Sequence, residues 1–358
     1  MSNHVLSLVI QPADLSSRFY LLKLGFQPIL SVPQLLYQIL HSQQIEELVL
    51  QVANLPETLL NASRFMFLKA ENLCTEQSLF AAREILLEFL NAQPLSELTK
   101  YYKYRWFLER LEQQHFFFKY QPIFNLKSKC IVGHECLIRT ISDQDKSING
   151  GQILEAAIVM NLTQELDELA RKICIQSLAN FDRNQTFFIN IMPNAIIKNP
   201  HSLQQNIELI LNLGLQPQQI VFELTELEKL QENPTLAALI KQIQKWGVKI
   251  AIDDLCSSTS VDHYFMELQP DIIKIDRQII HQCSHSSLKQ ILISSLLGAA
   301  HKFGIFVVAE GLEEPADIEC CRDLGIDFGQ GFGLGLPELL PQDTEGSCNH
   351  QHICKISL

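Results

Sequence analysis

From residue 116 onward, short runs rich in β-branched and aromatic residues alternate with longer helix-like stretches. The strand readings are 117–124, 131–139, 186–191, 220–225, 249–254, 271–275, 305–310 and a short last one near Phe328. The helix readings are 151–180, 195–213, 228–246, 277–303 and 314–324. Such alternation predicts βα units around a parallel sheet. Eight strands in a chain segment of this length is the arithmetic of an α/β (β/α)8 barrel. The connection "NLKSK" at 125–129 is too short for a helical crossover, so the first strand should run antiparallel to the second. The predicted fold is therefore a modified (β/α)8 TIM-like barrel with an antiparallel first strand.

The preceding residues read differently. A strand at 5–10 is followed by apolar-periodic stretches at 33–53 and 77–92, the first of them helical or helix-then-strand, and then by a helix at 100–115. A faint likeness of 6–10 and 24–30 to a degenerate receiver-like α/β unit stands beside a mostly helical reading. The expected organisation is a regulatory or dimerisation domain at 1–100, the barrel at 101–340 and a flexible tail at 341–358. Within that tail Cys348, His350, His352 and Cys354 stand too close together for the usual spacing of a structural zinc site.

Charge narrows the function. The 358 residues carry 28 Lys+Arg against 40 Asp+Glu, a formal charge of −12, which argues against a DNA- or RNA-binding surface. No apolar run is long enough to span a membrane. The opening lacks the basic flank and cleavage pattern of a signal peptide. Ten scattered cysteines then read as reduced, mostly packing thiols, and a cytoplasmic location is expected.

Strands covered on both faces should be almost wholly apolar. Here they are interrupted by Glu135, Asn190, Glu223, Asp253, Asp254, Lys274 and Glu310, mostly at or near C-terminal strand ends. That rim is where barrel active sites form. Unpaired buried charge is prohibitively costly, so acids converging there must be paired or must hold cations. A donor set of carboxylates and one amide, without His or Cys, suits Mg2+ or Mn2+ rather than Zn2+. If the backbone bends at the adjacent Asp253 and Asp254, both can face the rim, and one carboxylate can bridge two ions about 4 Å apart. Such a pair suits in-line displacement at phosphorus. Lys274 would polarise the attacking water or offset developing charge; neutralising the acids is its plainer role.

The order of these motifs carries a resemblance. "YQPIF" (120–124), "HECLIR" (134–139), "NIMP" (190–193), "FELTE" (222–226), "IAIDD" (250–254), "IKID" (273–276), "VVAEGLE" (307–313) and "GQGFGLGLP" (329–337) resemble the EAL-domain family of cyclic di-GMP phosphodiesterases. The motif that names the family reads "ECL" here. The resemblance implies hydrolysis of one 3′–5′ bond of cyclic di-GMP to linear pGpG with Mg2+ or Mn2+, by a homodimer joined through the barrel. It implies Glu135, Asn190, Glu223 and Asp253 at one ion, and Asp253, Asp254 and Glu310 at a second. By the same likeness Lys274 orients the water, with Glu310 a second catalytic group. Gln121, Leu137, Arg139 and Gln330 contact the nucleotide or shape its pocket, and Glu226 and Glu313 support the rim. The N-terminal region would receive a regulatory protein or signal.

Departures from the family pattern are local. Cys136 stands where Ala is usual, Met192 where Ser is usual, and Ile158 and Asn161 where a Glu and a Gly are usual. After the paired aspartates, "LCSS" (255–258) replaces Phe-Gly-Thr-Gly, so both glycines are lost to Cys256 and Ser258. A position that needs positive φ or close backbone approach would be strained by that change. The alternative to an enzyme is accordingly a weak or inactive cyclic di-GMP receptor or protein-interaction regulator.

Overall fold

The computed structural model describes residues 6–40, 42–69, 79–142, 145–181, 185–224, 234–255 and 268–339. Glu226, Cys256, Ser258 and the histidines and cysteines of the tail lie outside the described residues, as does the side chain of Asp254. The chain divides into two compact units, residues 1–109 and 110–358. That division falls inside the helix Leu95–Glu112.

The first unit is a five-stranded sheet of β1 (Leu6–Gln11), β2 (Gln27–Ile29), β3 (Val32–Leu40), β4 (Arg64–Lys69) and β5 (Gln93–Pro94), in the order β2-β3-β1-β4-β5. Every neighbouring pair is antiparallel. The first four strands thus have the βαββαβ, ferredoxin-like arrangement. The small α/β reading of this region therefore holds against the mostly helical one, although the sheet is antiparallel and not the parallel sheet of a receiver-like unit. The stretch 33–53 also reverses its expected order. Val32–Leu40 is a strand, and the helix Ser42–Val52 follows it. Leu36 and Leu40 are buried from this strand together with Leu48 and Val52 from that helix in one core, so tertiary packing set a type that periodicity left open.

The second unit closes as a barrel of eight strands. These are β6 (Phe117–Asn125), β7 (Ile131–Ile141), β9 (Phe187–Ile191), β10 (Ile220–Leu224), β11 (Lys249–Leu255), β12 (Ile272–Ile275), β13 (Phe306–Ala309) and β14 (Phe328–Gly329). A two-residue β8 (Ser147–Ile148) hangs on the end of β7. Strand β6 is antiparallel to both its neighbours, β7 and β14, and the other neighbouring pairs of the barrel are parallel. Three expected helices are broken, 277–303 among them, which gives way to Arg277–Ile280 and Ser287–Lys302 around Gln282 at φ +59°. Residues 151–180 divide at Asn161, which takes φ +56°, and 195–213 divide at Pro200.

Side chains alternate between the two faces of each strand. Phe187, Ile189, Phe222, Ile250, Ile273 and Val307 face the helices in the main core. Ile123, Val132, Phe188, Val221, Ala251, Ile272, Val308 and Phe328, one from each strand, form a separate apolar cluster within the barrel. This layer fixes the height of everything above it. Among the described residues no helix is long and apolar enough to cross a membrane.

Candidate active site

A period of two sets the next interior position along each strand. Two residues past Phe188, Val221, Ala251, Ile272, Val308 and Phe328 stand Asn190, Glu223, Asp253, Lys274, Glu310 and Gln330. On the reversed β6 the same step runs back from Ile123 to Gln121. On β7 the step from Val132 to Glu135 is three, because the register against β6 shifts at this point, with Ile123 opposite Gly133 and Phe124 opposite Ile131. The polar residues that interrupt the strands thus share one storey of the barrel.

Lys274 stands at its centre, 1% exposed. Its Nζ lies 2.5 Å from Glu223 Oε1, 2.5 Å from Glu310 Oε1, 3.3 Å from Glu135 Oε2 and 3.6 Å from Asp253 Oδ1. Gln330 Nε2 donates to Glu135 Oε2 at 2.6 Å and to Gln121 Oε1 at 3.1 Å, and Gln121 Nε2 donates to the Gly335 carbonyl at 3.2 Å. Asn190 Nδ2 donates to Glu135 Oε1 at 3.3 Å. Gly331 lets Gln330 reach this position. A Cβ at residue 331 would collide with the backbone of Leu312, whose N–H donates to the Gln330 carbonyl.

Four carboxylates around one ammonium leave three negative charges in excess, in a site where Glu223 has no exposed surface. In the ion-free chain protons must relieve that excess. Burial pushes Glu310 up to about 8 against the pull of Lys274, with Asp253 and Glu135 adding to the rise. Burial likewise raises Glu223 well above the carboxylate range, again opposed by Lys274. For Lys274 burial acts downward, and the four carboxylates together outweigh it and hold the ammonium well above its usual range.

Cation-binding capacity shows in the donors. Oxygens of Glu135, Glu223 and Glu310 lie within 4.8 Å of one another, and among the described residues this is the one such group of metal-ligating side chains. Glu223 Oε2 and Asp253 Oδ1 are buried without a hydrogen-bond partner, the second being too far from Lys274 for one. Unpartnered carboxylate oxygens in an all-oxygen set fit a hard divalent cation. Strand β11 also bends as that fit requires. Its register against β12 shifts between Ile252 and Leu255, a bulge at the Asp253–Asp254 pair.

A cavity of about 430 Å3 opens beside the cluster. Asn190, Asp253, Leu137 and Arg139 line it, with Phe118 and Leu154 among its apolar residues. Arg139 is half-buried and spends one Nη on the Ile138 carbonyl. Glu313 lies outside the cluster, paired with Arg277 at 3.0 Å. Cys136 packs in the core, and burial pushes its thiol well up, which marks an inert packing residue. Cys283 and Cys321 are also buried, their sulfurs 3.8 Å apart. Sequence reading missed Asp167 and Arg171, both buried on the helix Thr163–Ser177 and both in the cavity wall. Their signal was a charged pair at i, i+4 beside the apolar stripe of Leu166, Ala170 and Cys174.

With this geometry, the EAL domain family matches residues 104–337. The chain belongs to the EAL family. Cyclic di-GMP phosphodiesterase PdeF of Escherichia coli is 27% identical over 235 residues, 65% of this chain and 31% of the relative. Cyclic di-GMP phosphodiesterase PdeA of Borreliella burgdorferi is 28% identical over 238 residues, 66% of this chain and 35% of the relative. The chain spans about a third of the length of these two EAL relatives. The Bacillus subtilis YkuI protein, solved with an EAL domain in complex with substrate c-di-GMP and calcium, superposes with a TM-score of 0.58 at 23% identity. That match covers 66% of this chain and 60% of that one, and carries the likeness of fold.

Proposed function

We propose that this chain is a metal-dependent phosphodiesterase that hydrolyses cyclic di-GMP to linear pGpG. The observation that carries the reading is the buried excess of carboxylates around Lys274, with orphaned oxygens on Glu223 and Asp253. Counting Asp254, five carboxylates and one ammonium leave four negative charges, which two Mg2+ or Mn2+ ions neutralise. Glu135, Asn190, Glu223 and Asp253 would hold one ion, and Asp253, Asp254 and Glu310 the other. When bound, such ions supply Lewis-acid charge and a more acidic water.

The remaining work belongs to the chain. Arg139, on the wall of the cavity that also holds Asn190 and Asp253, places a guanidinium where it can pair with a phosphate oxygen. Leu137 and the apolar walls take nucleoside surface and exclude water. Gln330 fixes the Glu135 carboxylate with a 2.6 Å bond, and Gln121 in turn holds the Gln330 amide. Lys274 Nζ orients the attacking water. As water oxygen bonds to phosphorus, the 3′-oxygen bond breaks, the water yields a proton to the carboxylate cluster, and the leaving oxygen takes one up. Glu313 and Glu226 support the rim, and two chains pair through the barrel.

The test is incubation of the purified chain with cyclic di-GMP and either metal, followed by separation of the nucleotides. Metal-dependent pGpG is the expected product, and intact substrate with both metals would defeat the reading. The "LCSS" substitution at 255–258 favours a second reading, a receptor that binds the nucleotide without turnover. Its signature would be saturable binding with no pGpG.

A further inference from the structure

Arg171 is wholly buried although it stands outside the carboxylate cluster. It lies one turn after Asp167 on the helix Thr163–Ser177. Its guanidinium donates to Asp167 Oδ2, to Asn206 Oδ1 at 2.9 Å through Nε and to Ser202 Oγ at 3.0 Å through Nη2. The other Asp167 oxygen, Oδ1, accepts the backbone N–H of Met192 at 2.8 Å. Met192 stands just beyond the end of β9, two residues past Asn190. Asp167, Ser202 and Asn206 are each at most 5% exposed, so the network grips the strand end from a largely buried position.

A buried ion pair contributes little net stability, because desolvation offsets its Coulombic gain. What this one fixes is place. The Asn190 amide spends its N–H on Glu135 Oε1, leaving its oxygen as the cation donor, and its backbone is free to shift only as far as the Met192 anchor permits. We propose that Asp167, locked by Arg171, is a positioning residue for Asn190, holding the end of β9 so that the amide oxygen meets a divalent cation. The proposal rests on the reading of Asn190 as a cation ligand. Outer partners of this kind typically set metal affinity by 10–100-fold.

The experiment is a calorimetric Mg2+ titration of the full chain without nucleotide, alongside its melting curve. Asp167→Asn and Arg171→Lys are expected to weaken Mg2+ binding about 10–100-fold. Glu168→Gln, on the same helix, removes the charge on the acceptor of the Asn199 amide but leaves the Met192 anchor, and should bind Mg2+ as the wild type does. Where Asp167→Asn does not fold, Ser202→Ala removes a single Arg171 acceptor and should still weaken binding several-fold. Wild-type affinity in a folded Asp167→Asn or Ser202→Ala protein, with only the melting temperature lowered, would overturn the proposal and leave the phosphodiesterase reading intact. Absence of Mg2+ binding by the wild type would defeat both.

Discussion

Glu223 has the most to lose from an empty site, since it is fully buried with one oxygen unpartnered. Glu223→Gln should therefore raise the melting temperature of the metal-free chain, by removing a carboxylate whose burial is unfavourable. The same change should cut turnover by more than the roughly hundredfold typical of outer partners. Melting curves with and without EDTA, together with initial rates, check both outcomes. Glu310 gives a pH dependence. Its folded pKa of about 8 exceeds the ordinary carboxylate value, so the metal-free fold binds more protons than the unfolded chain between about 4.5 and 8. Metal-free stability should fall as pH rises through that window. A cation must displace that proton, so Mg2+ affinity should rise over the same range, measured by titration at pH 6, 7 and 8.5. These acids were legible in the sequence because a charge inside an apolar strand run has few structural explanations. Asp167 and Arg171 were not, since polar residues on a helix are ordinary and only the fold reveals which of them face inward.

At the scale of elements, eight strand positions could be read from alternation with helices, and the reversed β6 from the short connection that follows it. The interrupted helices could not, because their breaks depend on single left-handed residues, Asn161 and Gln282, and on Pro200 within otherwise periodic stretches. Nor could the β11 bulge, which is a matter of pairing between strands. That bulge lies just before Cys256 and Ser258, where the family resemblance implies two glycines. If those side chains restrict the loop, the double substitution Cys256→Gly with Ser258→Gly should raise kcat several-fold while leaving metal-free stability little changed. Steady-state rates decide, and an unaltered kcat would reject the loop as the limiting feature.

For the whole molecule, the two units differ in how much the sequence disclosed. The barrel imposes a strict repeat, and motifs at strand ends inherit its order. The N-terminal sheet is antiparallel and depends on contacts distant in sequence, such as β1 with β3 and β4, so local periodicity misassigned part of it. The function proposed for the chain lies in the barrel, and it stands or falls on whether the polar storey gathers cations. Anomalous scattering from crystals of the full chain grown with Mn2+ and cyclic di-GMP measures this most directly. Two manganese peaks about 4 Å apart, bounded by Glu135, Asn190, Glu223, Asp253 and Glu310, are the predicted result. Nucleotide bound in the cavity with no manganese at those carboxylates would contradict it.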